Sequence, residues 1–368
     1  MHDIGAGEQP DKVNENQCCN PYGEQHFFCL LFQGNQMKKG ILTAAFVAAM
    51  LMSCETAEEN KVDFTMKETA SLEVLMSPVD TKVAGEGNDE EKAVSGYQVL
   101  IFDRSSRMLE AYATPAPTAS SVNMQCTTGP KEVVVLANAP DVSAIVSYDV
   151  FLQTRSQLAD NAPGALVMEG HASPELAASG NSVTVDVRRL VSKVVLEKVT
   201  VDFELDAYDK MDFVLKNVYL TNVAGDKSYL ADMADPSAWY NKIVRTPDAK
   251  VDAMLYDAIA NVNLKESRQY TVKHHFYCYP NPYKDDTFSS AAWSPRPTRL
   301  VLEAELGGKL FYYPVSLPEL RQNMRYYVSL HIIRPGATSP EQDMDKYSVD
   351  ININVVEWEG KESVSETI

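Results

Sequence analysis

The chain has 368 residues, 45% of them hydrophobic, with 33 Lys and Arg against 51 Asp and Glu and a formal net charge of -18. That length and apolar content allow two hydrophobic cores of ordinary domain size. The acidity disfavours nucleic acid as a partner, and no segment after residue 54 is long and apolar enough to be a transmembrane helix.

Met37 to Cys54 reads MKKGILTAAFVAAMLMSC. Lys38 and Lys39 form a positive start, Gly40 to Leu51 is an apolar run too short for a bilayer, and Ser53 then Cys54 follow. This is the order of a bacterial lipoprotein signal: a small residue before the cleaved bond, and a thiol after it to carry a thioether-linked diacylglycerol. A buried core helix would account for the apolar run but not for the order of its flanks. Acyl chains on Cys54 supply membrane affinity at about 0.8 kcal/mol per buried methylene. Such a signal belongs at an N-terminus, so residues 1–36 are read as a misassigned start and Met37 as the initiator. A genuine extension carrying Cys18, Cys19 and Cys29 is the alternative, although adjacent cysteines alone make a poor zinc motif.

Glu55 to Lys61 is polar and acidic, a tether after the lipid; Glu55, Glu58 and Glu59 serve either as a solvated linker or as a surface-export address. Ala70 to Met76 alternates as a strand with one face inward, stopped by Pro78. Val79 to Lys92 holds Gly85, Gly87, Asn88 and several acids, and is read as an exposed, protease-accessible loop with nothing to pack. Strands follow at Gly96 to Phe102, at Ser121 to Pro130 with its turn, and at Lys131 to Pro140, where continuous Val133 to Leu136 implies burial on both faces. Val142 to Ala159 has helical spacing, and Leu166 to Gly170 and Ser182 to Val187 return to strand. Pieces of this kind make a β-sandwich.

Arg188 to Phe203 contains alternating strand residues from Val191 to Val201, with a domain boundary at its start. Phe213 to Val223 is a strand, Ala231 to Asn263 is at best partly helical, and Tyr270 to Asn281 is a strand stopped by prolines. Arg299 to Ala304 and Lys309 to Val315 pair about ELGG, whose glycines permit positive φ. Asn323 to Ile333 and Val349 to Trp358 alternate, and Gly360 to Ile368 is a short polar tail.

Beyond residue 37 only Cys54, Cys126 and Cys278 remain, and with Cys54 committed to lipid at most one disulfide is left. Two buried free thiols are the preferred reading. His274 and His275 point to opposite faces of a strand and cannot chelate one ion together. His171 and His331 lack partners nearby in sequence, no short catalytic or phosphate-binding motif occurs, and no cofactor is implied. Tyr326-Tyr327 and Phe311 to Tyr313 read as half-buried strand pairs, with a carbohydrate platform as the alternative.

These landmarks in this order resemble the fimbrillins, the pilins of type V pili made by Bacteroidales. The resemblance rests on the lipobox, VVVLANAP at Val133 to Pro140, RRLVSKVVLEKV at Arg188 to Val199 and LKNVYLTNV at Leu215 to Val223. FYCYPN at Phe276 to Asn281 and NMRYYVSLHII followed by VDININVVEW complete it. It implies an all-β fold of two transthyretin-like Greek-key β-sandwich domains with minor helical insertions, at 83–187 and 188–368. It also implies export as a lipoprotein to the outer membrane and assembly with other pilin subunits after a maturation protease removes 54–82. The incoming strand of a neighbour then fills the vacated groove.

Carried onto this sequence, the cut falls between Lys82 and Val83, Leu72, Val74 and Met76 plug the groove, and Ile351, Ile353 and Val355 belong to the donor strand; Ser363 to Ile368 is a second donor candidate. The chain departs from the pattern at the cut, where the family has arginine: here the next arginine is Arg104, beyond a core strand. The function implied is a structural subunit of a surface fimbrium supporting adhesion or biofilm, with a host or bacterial surface ligand. A lipid-retaining pilus anchor and a monomeric glycan-binding lipoprotein are the alternatives, and an enzyme is the reading with least support.

Overall fold

Alternation sets the first described element. Ala70, Leu72 and Val74 of the Thr69–Ser77 strand are buried while the residues between them face outward or lie part-exposed, as a one-sided strand requires. The computed structural model describes residues 67–77, 89–230, 235–285, 293–345, 347–358 and 363–367. Cys54, the tether and the Lys82–Val83 bond lie outside these residues.

The first strand is the middle of a three-stranded sheet. It pairs antiparallel with Ser121–Thr127 and parallel with Asn181–Asp186. Beneath it lies a second sheet in which Gly129–Ala137 is flanked by Tyr97–Asp103 and Met168–Ala172. That second sheet is a middle layer, which explains its unbroken apolar runs. Val99, Ile101, Val133 and Val135 face the first strand's sheet, whereas Leu100, Phe102, Val134 and Leu136 face the opposite core. The burial expected on both faces of Val133 to Leu136 is present.

The layers come close at one point. A Cβ on Gly170 would lie 2.4 Å from the Asp186 carbonyl oxygen and 2.9 Å from Val185 Cγ1, so only glycine fits there.

Two further sheets build the second half. In one, Ser192–Val201 pairs parallel with Met324–Ile332 and antiparallel with His274–Cys278, and Val349–Glu357 and Ser363–Thr367 extend the sheet outward. In the other, the order is Tyr256–Asn263, Phe213–Thr221, Arg299–Leu306, Lys309–Ser316. Their inner faces share one core through residues such as Val194, Val328, Leu215 and Leu302. Gly307 and Gly308 turn the last pair with positive φ, as their sequence suggested.

The structure refines the sequence reading at four points. Val142 to Ala159 is α-helical only at Tyr148–Gln153, capped by Ser147 and anchored by buried Phe151, with a 3-10 turn at Leu158–Asp160; Arg155–Gln157 between them pairs with Asp226–Ser228, so tertiary pairing overrides the helical spacing. Within Arg188 to Phe203 the alternating residues lie in Ser192–Val201, which starts the next sheet, while Arg188–Arg189 pairs separately with Met168–Ala172. Ser363–Thr367 is a strand paired to Val349–Glu357, not merely a tail. Leu109–Ala113, an edge strand whose residues are all part-exposed, is absent from the sequence reading; Leu109 and Tyr112 pack on one core, Ala111 and Ala113 on the other.

The end of the Val79 to Lys92 loop is also better held than expected. Asp89–Lys92 forms a 3-10 turn in which Glu91 is buried. Glu91 Oε1 accepts from Lys193 Nζ at 2.6 Å and from the Tyr277 hydroxyl at 2.6 Å, and Arg189 Nε donates to the Glu91 carbonyl at 2.9 Å.

Candidate functional site: a strand slot and a C-terminal strand

The first strand sits in a slot whose walls are backbone and whose floor is apolar. Cα pairing runs from Thr69 opposite Thr127 to Leu75 opposite Ser121 on one side, and from Leu72 opposite Asn181 to Ser77 opposite Asp186 on the other. Side-chain and backbone bonds close it further: Asn181 Nδ2 donates to the Ser71 carbonyl at 3.1 Å and the Met76 N–H to Ser120 at 3.1 Å. Leu72 is fully buried, and Ala70 and Val74 nearly so, against Tyr97, Val99, Ile101, Val133 and Val135. Met76 is only half-buried, so of the three sequence-predicted plugs it fills least. Each Leu or Val buried this way contributes about 1.5–3 kcal/mol.

A charged cluster closes the end of the slot where the first strand enters. Lys131, fully buried, donates to Asp103 Oδ2 at 2.7 Å, to Thr127 Oγ1 at 2.8 Å, and lies 3.0 Å from Glu110 Oε2. Lys67, just before the first strand, donates to the same Asp103 oxygen. Burial disfavours the ionised form of Asp103, but bonds from Lys131, Lys67 and the Ser106 N–H outweigh it and hold the carboxyl well below the usual carboxylate range. Burial likewise opposes the Lys131 charge, and Asp103 and Glu110 prevail, raising its pKa. Thus two lysines and two carboxylates balance one another, Lys131 and Asp103 buried, Glu110 partly so and Lys67 at the surface.

The second predicted site lies elsewhere. Val349–Glu357 pairs with Met324–Ile332 from Val349 opposite Ile332 to Glu357 opposite Met324. Ile353 is fully buried, and Ile351 and Val355 pack half-buried against the same core. Trp358, just beyond, is buried with the Arg189 guanidinium 4.6 Å from its ring centroid. Strand and slot are therefore separate features of the unliganded chain, each completed by its own segment.

The remaining sequence candidates have ordinary roles. Cys126 and Cys278 are buried and free, and burial pushes the Cys278 thiol up to about 12. His274 is buried between the Tyr270 hydroxyl and Asp257, each at 2.7 Å, while His275 faces outward. Tyr313 and Tyr326 are core residues rather than a platform. A partly exposed aromatic group that sequence did not flag joins Trp239 to Trp293 and Tyr283, with centroids 5.2 and 5.9 Å apart. Lys67, Asp103, Glu110, Lys131 and Glu91 were also missed, because each lies at the end of an element and meets its partners only through tertiary packing.

No protein-family model matches the sequence, and no curated protein matches it. Solved structures do. A candidate cell adhesion protein from Bacteroides eggerthii superposes with a TM-score of 0.60 at 18% identity, covering 79% of this chain and 97% of that one. A second, from Parabacteroides distasonis, gives 0.57 at 17%, covering 79% and 99%. A fimbrilin from Porphyromonas gingivalis gives 0.57 at 15%, covering 78% and 97%. The chain therefore has the all-β fold of these Bacteroidales fimbrilin and cell adhesion structures.

Proposed function

We propose that this chain is a fimbrillin-family subunit of a cell-surface fimbrium. It is exported as a lipoprotein on Cys54, matured between Lys82 and Val83, and joined to its neighbours by donor-strand exchange. The observation that carries this reading is the placement of the first strand. It is central in its sheet, so its removal leaves two unpaired strand edges over an apolar floor. It is also the first described element, separated from the rest of the fold by the 78–88 segment that contains the Lys82–Val83 bond.

The position of the cut follows from chemistry near it. Of the basic residues between the first strand and Tyr97–Asp103, Lys92 adjoins buried Glu91 and Lys82 does not. A neighbour's Val349–Glu357 then supplies what the slot lost, Ile351, Ile353 and Val355 taking the apolar floor by β-augmentation. Adhesion or biofilm formation follows from such a polymer and whatever host or bacterial ligand its surface meets.

The test is Val355→Asp. It leaves a folded monomer that no longer polymerises after the cut, read by size analysis; normal polymers from this variant would remove Val355 from the donor. A lipid-retaining anchor is the second reading, favoured by the absence of any arginine between Cys54 and Arg104.

A further inference from the structure

The charged cluster at the mouth of the slot changes when the first strand leaves. Lys67 departs with residues 54–82, and Asp103 and Glu110 are then faced by Lys131, which was already shared between them. An excess of negative charge in a nearly buried place is costly, and an incoming strand that returns a cation to Lys67's position relieves it. The slot thus asks for a cation three residues before the first buried side chain, as Lys67 stands before Ala70, followed by apolar residues at alternate positions.

Two segments of the chain place a lysine so. KYSVDININVV, from Lys346, sets Val349, Ile351, Ile353 and Val355 where Ala70, Leu72, Val74 and Met76 now lie, with Asp350, Asn352 and Asn354 on the outer face. KESVSETI, from Lys361, repeats the KETAS spelling of residues 67–71 more closely but sets Glu366 in the place of fully buried Leu72. An unpaired carboxylate there is disfavoured, whereas isoleucine fits. Shifting Val349–Glu357 by two residues brings Ser348 to the cation's position and Glu357 to the place of Met76 in one direction, and Met344 to the cation's position in the other. Lys346 and Lys361 lie outside the described residues.

We propose that Asp103 is a register lock for subunit assembly: it accepts Lys346 of a second copy of this chain and so fixes the donor with Ile351 in the place of Leu72. The inference rests on the donor-strand reading and deepens it by naming one register and one specificity-determining charge. The lock also discriminates among strands, since any alternating segment satisfies an apolar floor but few carry the cation at the required distance. Val349–Glu357 would run in the direction of the first strand, antiparallel to Ser121–Thr127, which sets Asn352 opposite Asn123 as Glu73 is now.

The test uses the full chain with a specific protease site placed between Lys82 and Val83. After cutting, labelled peptides spanning 346–357 compete with the 54–82 fragment, and a 67–77 peptide reports whether the slot exchanges strands at all. The proposal expects the 346–357 peptide to enter, and its Lys346→Glu form to bind about tenfold or more weakly. It further expects an Asn352→Cys peptide to form a disulfide with an Asn123→Cys subunit in preference to Asp350→Cys or Asn354→Cys peptides. Equal binding of the Lys346→Glu peptide, or preferred cross-linking from residue 350 or 354, overturns the lock while leaving strand exchange intact. Tighter binding by a peptide spanning 361–368, lost on Lys361→Glu, likewise overturns it. If the 67–77 peptide and both donor peptides fail to exchange, the slot does not open and the donor-strand reading itself falls.

Discussion

A carboxylate held between two lysines inside a protein ties stability to pH. Asp103 has a folded pKa far below its unfolded value of about 3.9. Its stabilisation is therefore fully present above that unfolded value and is lost progressively from about pH 5 downward as the unfolded chain takes up protons. Asp103→Asn should flatten the fall in melting temperature between about pH 5 and pH 3 relative to the native chain; parallel curves would show that Asp103 is not so held. Glu91 makes a second case, since removing it leaves Lys193 buried without its carboxylate. Glu91→Ala should cost about 3–5 kcal/mol in urea unfolding, and a cost below about 1 kcal/mol would mean the pair is solvated. Neither cluster was legible in sequence. Asp103 ends one strand and Lys131 is the third residue of another, and only the antiparallel register that sets them opposite each other makes them partners.

Elements were more legible than residues, for a physical reason. Strands with one buried face alternate, as Thr69–Ser77 and Val349–Glu357 do, and a strand in the middle layer is apolar throughout, as Gly129–Ala137 is from Val133 onward. Where pairing is decided by tertiary neighbours the pattern failed: Arg155–Gln157 joins Asp226–Ser228 despite helical spacing, and Leu109–Ala113 is a short, part-exposed edge strand whose few apolar residues divide between two cores. The packing between the first strand's sheet and the middle layer gives a prediction at this scale. Gly170→Ala forces a Cβ against the Asp186 carbonyl and should destabilise the chain by about 1–3 kcal/mol, measured by denaturant unfolding. Leu72→Ala removes the first strand's most buried side chain and should cost about 2–5 kcal/mol before cutting. In the proposed maturation its larger effect falls on assembly, because a poorly held first strand leaves the slot sooner once the 78–88 connection is cut.

For the whole molecule, the account makes one chain both lock and key. A central strand completes the slot of the unassembled subunit, while another segment with matching alternation completes the core of the second half. Exchange between copies then trades one set of strand pairings for a similar set, so the cut between Lys82 and Val83 and the loss of the first strand give assembly its direction. Intact mass and N-terminal sequence of the protein taken from its native cell surface, with size analysis of the same sample, test this most directly. The account predicts chains beginning at Val83 within a ladder of high-mass species. Monomers that still begin at a diacylated Cys54 and retain the first strand would contradict it.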